Sequence, residues 1–163
     1  MPAGNTYESI ATQTLGSAAA SVTFSSIPGT YTDLVLVINP TMASNADVTI
    51  IFNGDTANNY SSTYLSGNGT TASSSRFSTF PKIYLDSINT GTGIVQYNVS
   101  IMNYSNATTY KTALARFASA GVGTQATVGL WRSTAAITSM TITGDSVNFT
   151  TGSTFNLFGI KAA

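Results

Sequence analysis

Apolar positions recur along this chain at every second residue far more often than at the three-to-four spacing of a helix. Tyr7 to Leu15, Ser21 to Ile27 and Asp33 to Ile38 are short segments rich in β-branched and aromatic residues, with Ala-Ser or Pro28-Gly29 between them. Asp47 to Phe52, Lys82 to Ile88, Ile94 to Tyr104, Thr127 to Trp131, Ile137 to Thr143 and Thr154 to Ile160 repeat the type. Turn residues separate them at Asn53-Gly54-Asp55, Gly67-Asn68-Gly69, Gly91-Thr92-Gly93, Gly144-Asp145 and Thr151-Gly152-Ser153, where backbones with positive φ are tolerated. About ten strands at this spacing predict an all-β chain, an antiparallel sandwich or barrel.

One segment fits two periods. In "KTALARFASA", residues 111 to 120, Leu114, Phe117 and Ala118 share a helical face and the alanines favour a helix. Read as a strand, Leu114 and Phe117 point to opposite sides, which suits a segment buried on both faces or carrying a bulge. The strand is the preferred reading, because a lone helix would interrupt a continuous β pattern. No linker or repeat divides residues 1 to 163, so one β-sandwich domain is expected, with residues 1 to 7 as an N-terminal arm.

Composition changes this picture mainly by exclusion. Charged residues are only 7% of the chain, against about 25% in an ordinary globular protein. Ser and Thr fill 48 of 163 positions, so polarity is carried by hydroxyls and amides. Six basic and six acidic residues cancel, leaving no electrostatic footprint for nucleic acid or an anionic membrane. The longest aliphatic run, Leu34 to Ile38, is far short of the ~20 residues that span a bilayer. The first residues, Met1 to Asn5, carry neither the basic start nor the apolar stretch of an export signal.

The chain has no cysteine and no histidine, which removes thiolate chemistry, nearly every zinc site and every His-dependent triad. A carboxylate pair of the glycosidase kind remains arithmetically open, with Glu8, Asp33, Asp47, Asp55, Asp86 and Asp145 as its candidates. Most of them stand at strand ends or beside Gly, Ser or Asn, where turn chemistry accounts for them. The expectation is therefore a protein that is not an enzyme, with no catalytic residue and no cofactor. Asp47, Asn53 and Asp55 are oxygen donors that a calcium ion accepts, but their spacing matches no EF-hand loop. The plainer reading of Asn53-Gly54 is a strand end.

Beyond that turn lies a stretch of tyrosines, asparagines and hydroxyls. Asn53, Asp55, Asn58, Asn59, Tyr60, Tyr64 and Asn68 form the candidate contact loop, where rigid amphipathic rings and amides suit a glycan, a neighbouring subunit or the chain's own interior. Arg76, Arg116 and Arg132 are expected to pair with the few acids or with carbonyls, and Trp131 to anchor the core. The Asn-x-Ser/Thr matches occur about as often as so hydroxyl-rich a composition produces by chance.

Four stretches together carry a family resemblance: "FSSIPGTYTDLVLVI", "IIFNGDTANNYSSTYLSGNG", "GLWRSTAAITSMTIT" and "FTTGSTFNLFGIKA". With them, from about Tyr7 to Lys161, the chain resembles small virion structural proteins of tailed phages. The resemblance implies a jelly-roll-like β-sandwich without catalytic residues, carried on the virion and made in the host cytoplasm. It implies a capsid decoration or cement protein that binds between subunits of the major capsid protein, or alternatively a tail-fibre tip that contacts a host surface glycan. A homotrimer is expected in either role, with Pro2, Asn5 and Tyr7 as the assembly arm.

Overall fold

The computed structural model describes residues 6–86, 95–119 and 121–161. Twelve strands and no helix make up these residues. They are β1 (Tyr7–Thr14), β2 (Ser21–Phe24), β3 (Asp33–Asn39), β4 (Val48–Phe52), β5 (Tyr60–Gly67), β6 (Ala72–Phe80), β7 (Ile83–Tyr84), β8 (Gln96–Met102), β9 (Lys111–Ser119), β10 (Gly123–Trp131), β11 (Met140–Gly144) and β12 (Thr154–Ile160). Eight of them form one sheet in the order β1-β12-β3-β8-β9-β10-β5-β6, and four form a second in the order β2-β11-β4-β7. Every pairing is antiparallel, and the chain crosses repeatedly from one sheet to the other. The fold is an all-β antiparallel sandwich of the jelly-roll-like kind, as expected.

The period-two pattern becomes the two faces of each strand. In β12, Phe155, Leu157 and Gly159 turn inward, and Thr154, Asn156, Phe158 and Ile160 outward. Inward side chains of the large sheet (Leu34, Leu36, Ile38, Val99, Ile101, Phe155) meet those of the small sheet (Val22, Phe24, Ile50, Phe52, Met140, Ile142) in one core. The segment from Lys111 is a strand to Ser119, alternating buried and exposed, and Leu114 and Phe117 do lie on opposite faces. It packs without a bulge between β8 and β10.

Three expectations are corrected. The strand count rises from ten to twelve because β5 and β6, a hairpin, occupy the stretch read as loop. Between Gly67 and Ala72, Asn68 Oδ1 accepts the backbone N–H groups of Thr70 at 3.0 Å and Thr71 at 2.8 Å, which fastens that turn. Of the strand expected over Lys82 to Ile88, the described part to Asp86 is strand only at Ile83–Tyr84. Tyr7 is no arm residue, since it opens β1 opposite Ile160. Pro2, Asn5, Ile88 and the Gly91-Thr92-Gly93 turn lie outside the described residues.

Candidate contact surface

The Asn-Gly pair does what its chemistry predicts. Asn53 (φ 51°) and Gly54 (φ 66°) both adopt positive φ, and Asp55 N–H closes the turn on the Phe52 carbonyl at 2.9 Å. The polar side chains around it are consumed inside the molecule. Asn53 Oδ1 accepts from Thr138 N–H at 2.8 Å and Ser139 N–H at 3.1 Å, while its Nδ2 donates to the Ala136 carbonyl at 2.7 Å. Asp55 Oδ2 accepts from Trp131 Nε1 at 2.7 Å and Asn59 Nδ2 at 3.0 Å, and its Oδ1 accepts Ala57 N–H at 2.9 Å.

Tyr60 and Tyr64 are buried. The Tyr60 hydroxyl donates toward the Phe52 and Asp55 carbonyls at 3.2 and 3.0 Å, and its ring stacks on Trp131 at 6.1 Å between centroids. Burial pushes both phenols well above their ordinary range. The candidate contact loop therefore does not form one surface. Only Asn58 and Asn68 remain solvent-facing, at opposite ends of β5. The calcium reading falls with it, because Asn53 and Asp55 are saturated by N–H donors and Asp47 faces Asp86 instead. Among the described residues no group of three or more acids, histidines or cysteines is placed to hold a metal.

All six acids are engaged locally. Glu8 pairs with Lys161 at 2.6 Å, Asp145 with Lys82 at 2.6 Å, and Asp33 caps Asn103 N–H at 2.7 Å. Asp86 was not expected to be fully buried. It accepts from the Tyr97 hydroxyl and from Val48 N–H at 3.1 Å, and its side chain hydrogen-bonds Asp47. Desolvation first, then the Asp47 charge, push its carboxyl up to about 8. A buried pair in contact differs from the solvent-facing carboxylates ~5–10 Å apart that glycoside cleavage requires. The signal for it in the sequence was slight: an aspartate directly after the apolar Ile83-Tyr84-Leu85.

The exposed chemistry lies elsewhere, on the outer face of the large sheet. Cross-strand register places Asn98, Arg116, Ala126 and Leu65 in one row over β8, β9, β10 and β5. Ser100, Leu114, Val128 and Thr63 form the next row, and Met102 starts the one beyond. Leu65 (64%), Met102 (49%), Val128 (49%) and Leu114 (41%) leave large apolar side chains to solvent, whereas strand residues facing the core are closed off. Beside this stripe a cleft of about 410 Å³ is lined by Tyr7, Val35, Val37, Asn98, Arg116 and Phe158.

Of the arginines, Arg132 fulfils the expectation of a carbonyl partner. Its Nη2 donates to the Asn58, Tyr60 and Ser78 carbonyls at 3.1 to 3.2 Å. Arg116 does not, since it has no hydrogen-bond or ion-pair partner among the described residues. Sequence reasoning missed this face because an outward Leu or Val on a strand carries no mark that separates it from an inward one.

No protein-family model matches this chain, and no curated protein matches its sequence. Among solved structures, a galectin, LEC-6 of Caenorhabditis elegans, is similar over 95% of this chain and 97% of its own at 12% identity, with a TM-score of 0.38. An exo-inulinase from Aspergillus awamori is similar over 94% of this chain and 29% of its own at 11% identity, with a TM-score of 0.36. A PL-14 alginate lyase from Aplysia kurodai follows at 10% identity, 82% and 72% coverage and a TM-score of 0.26.

Proposed function

We propose that this chain is a bacteriophage virion structural protein, a capsid decoration protein that docks the outer face of its large sheet between subunits of the major capsid protein. The observation that carries the reading is the apolar stripe of Leu65, Met102, Leu114 and Val128 on a face with few charges. Isolated exposed apolar residues need no explanation, but a contiguous set of large ones suits an interface. Covering an exposed Leu or Val fully is worth up to ~1.5–3 kcal/mol, less the cost of association. A face of hydroxyls, amides and methyls sheds water cheaply, because few charges need desolvation. Repetition over a symmetric lattice then turns individually modest contacts into a mechanical reinforcement. The resemblance to tailed-phage virion proteins supplies the partner.

The test uses particles depleted of the protein. Purified chain is expected to rebind in numbers commensurate with the capsid protein and to raise resistance to heat, and Leu114→Glu with Val128→Glu is expected to abolish both. No rebinding, or rebinding indifferent to these changes, defeats the reading. One observation favours a fibre-tip role: Arg116, without a partner among the described residues and beside Asn98 and Tyr7 in an open cleft, is suited to an acidic sugar. A count in the low tens per virion, with binding to host glycan lost on Arg116→Ala, would select that role.

A further inference from the structure

A sandwich of two open sheets has four edges, and three of them here are blunted. β2 and β7 are only four and two residues long. β1 is broken by a register shift between Ser9 and Ala11, and it carries the Glu8–Lys161 ion pair. These are the devices by which β proteins keep edges from pairing with other chains. β6 has none of them over most of its length. It is nine residues long, exposed at most positions, free of proline, and charged only at Arg76. Its one irregularity, opposite Tyr60 to Ser62, leaves Ala72 to Phe77 in regular register.

The hydrogen-bond phase shows what this edge offers. Asn68 N–H donates to the Thr71 carbonyl at 3.2 Å, so antiparallel alternation makes Ser66/Ser73 and Tyr64/Ser75 the bonded pairs of the hairpin. The N–H and C=O groups of Ala72, Ser74 and Arg76 consequently point away from β5, toward open solvent.

We propose that β6 pairs antiparallel with β6 of a second copy of this chain about a two-fold axis at Ser74, joining two large sheets into one. This register is self-complementary. Ser74 faces Ser74, where the hydroxyls meet across the strands. Arg76 of each copy faces Ala72 of the other, so the single charge on the strand meets no like charge. The outward groups of Ala72, Ser74 and Arg76 then form up to about six main-chain hydrogen bonds. The pairing stands apart from the virion reading and requires only the chain itself. It also differs from the three-fold association implied by the family resemblance.

The chain has no cysteine, which makes a covalent test clean. In a bonded antiparallel pair the two Cα atoms lie about 5.5 Å apart, within disulfide reach. Ser74→Cys is expected to give a disulfide-linked dimer under mild oxidation, while Thr12→Cys on the blunted β1 edge stays monomeric. Sedimentation of the cysteine-free chain should show a monomer–dimer equilibrium. Ala72→Lys, set opposite Arg76, should raise its dissociation constant about tenfold at low salt, and Ala72→Glu should lower it. Both substitutions are at an exposed position, and circular dichroism confirms folding. A chain that is monomeric at all concentrations, a trimer, or a dimer that ignores the sign of the charge at position 72 overturns the proposal. So does Ser74→Cys cross-linking no faster than Thr12→Cys.

Discussion

Trp131 Nε1 donates to Asp55 Oδ2 at 2.7 Å, tying the indole at the end of β10 to the turn that follows β4. A strand of the large sheet is thereby fixed to a strand of the small one. Phe52 lies 5.7 Å from the indole, Tyr60 stacks on it at 6.1 Å, and the two rings are 6.5 Å from each other, so the hydrogen bond positions a three-ring aromatic cluster as well as a turn.

Asp55→Ala strands the Trp131 indole N–H and the Asn59 amide at once, and is expected to cost about 1–3 kcal/mol. Partial burial works against ionisation of Asp55, but the hydrogen bonds from Asn59, Trp131 and Ala57 outweigh it and hold the carboxyl below the usual range. Its contribution is therefore present above the ordinary aspartate pKa and is lost as the pH falls through the lower folded value. Trp131 is the only tryptophan, so its fluorescence reports the site directly. Urea titrations between pH 2 and pH 6 should show the wild type losing stability on acidification more steeply than Asp55→Asn.

Asp86 should act with the opposite sign. Its folded pKa of about 8 is raised above the unfolded value, so unfolding releases a proton between roughly pH 4 and pH 8. The stability it confers is full below pH 4 and is lost as the pH rises toward 8. Asp86→Asn keeps an acceptor for Val48 N–H and cannot ionise. The wild type is expected to lose on the order of a few kcal/mol over this window and the variant distinctly less, measured as Tm against pH. Parallel profiles for the two proteins would mean that Asp86 ionises normally.

The contact between β10 and β7 rests on a missing side chain. A Cβ on Gly129 would stand 2.5 Å from Ile83 Cγ2 and 2.9 Å from Ile83 Cδ1. Gly129→Ala should cost about 1–3 kcal/mol through overpacking. Ile83→Ala leaves a cavity and should cost about 2–5 kcal/mol. Combined, the methyl fills part of that cavity, so the double variant should be less destabilised than the sum of the two. Additive losses in chemical denaturation would show that the strands separate instead of repacking.

The sandwich was legible wherever one face of a strand is aliphatic, as in β3, β4, β8 and β12. It was illegible at β5 and β6, where the inward positions are Tyr60, Ser62, Tyr64 and Phe77 among hydroxyls, and a turn composition overlaid the alternation. Tyrosine at i and i+4 with Thr63 between was the available signal. The Asn53-Gly54 turn and the Trp131 anchor followed from local backbone and packing rules. The contact loop did not, because Asn53 finds its partners in residues 136 to 139 and Asp55 its indole donor in Trp131, far along the chain. The six acids illustrate the same limit, since Asp47 and Asp86 meet only through the stacking of β4 beside β7.

Leu114 and Val128 separate folding from docking. They sit directly opposite one another on β9 and β10, both substantially exposed, so their mutual contact is worth only ~0.2–1 kcal/mol to the monomer. Leu114→Ser with Val128→Ser is therefore expected to shift thermal stability by no more than about 1 kcal/mol. If the stripe is the docking surface, the same pair should remove most of the apolar area covered on the capsid and reduce occupancy on depleted particles by tenfold or more, about 1.4 kcal/mol. Calorimetry of the free protein and a bound-copy count on particles make the comparison. A large loss of stability with occupancy intact would mean that the pair holds the sheet together, whereas stable protein that no longer binds assigns it to the interface.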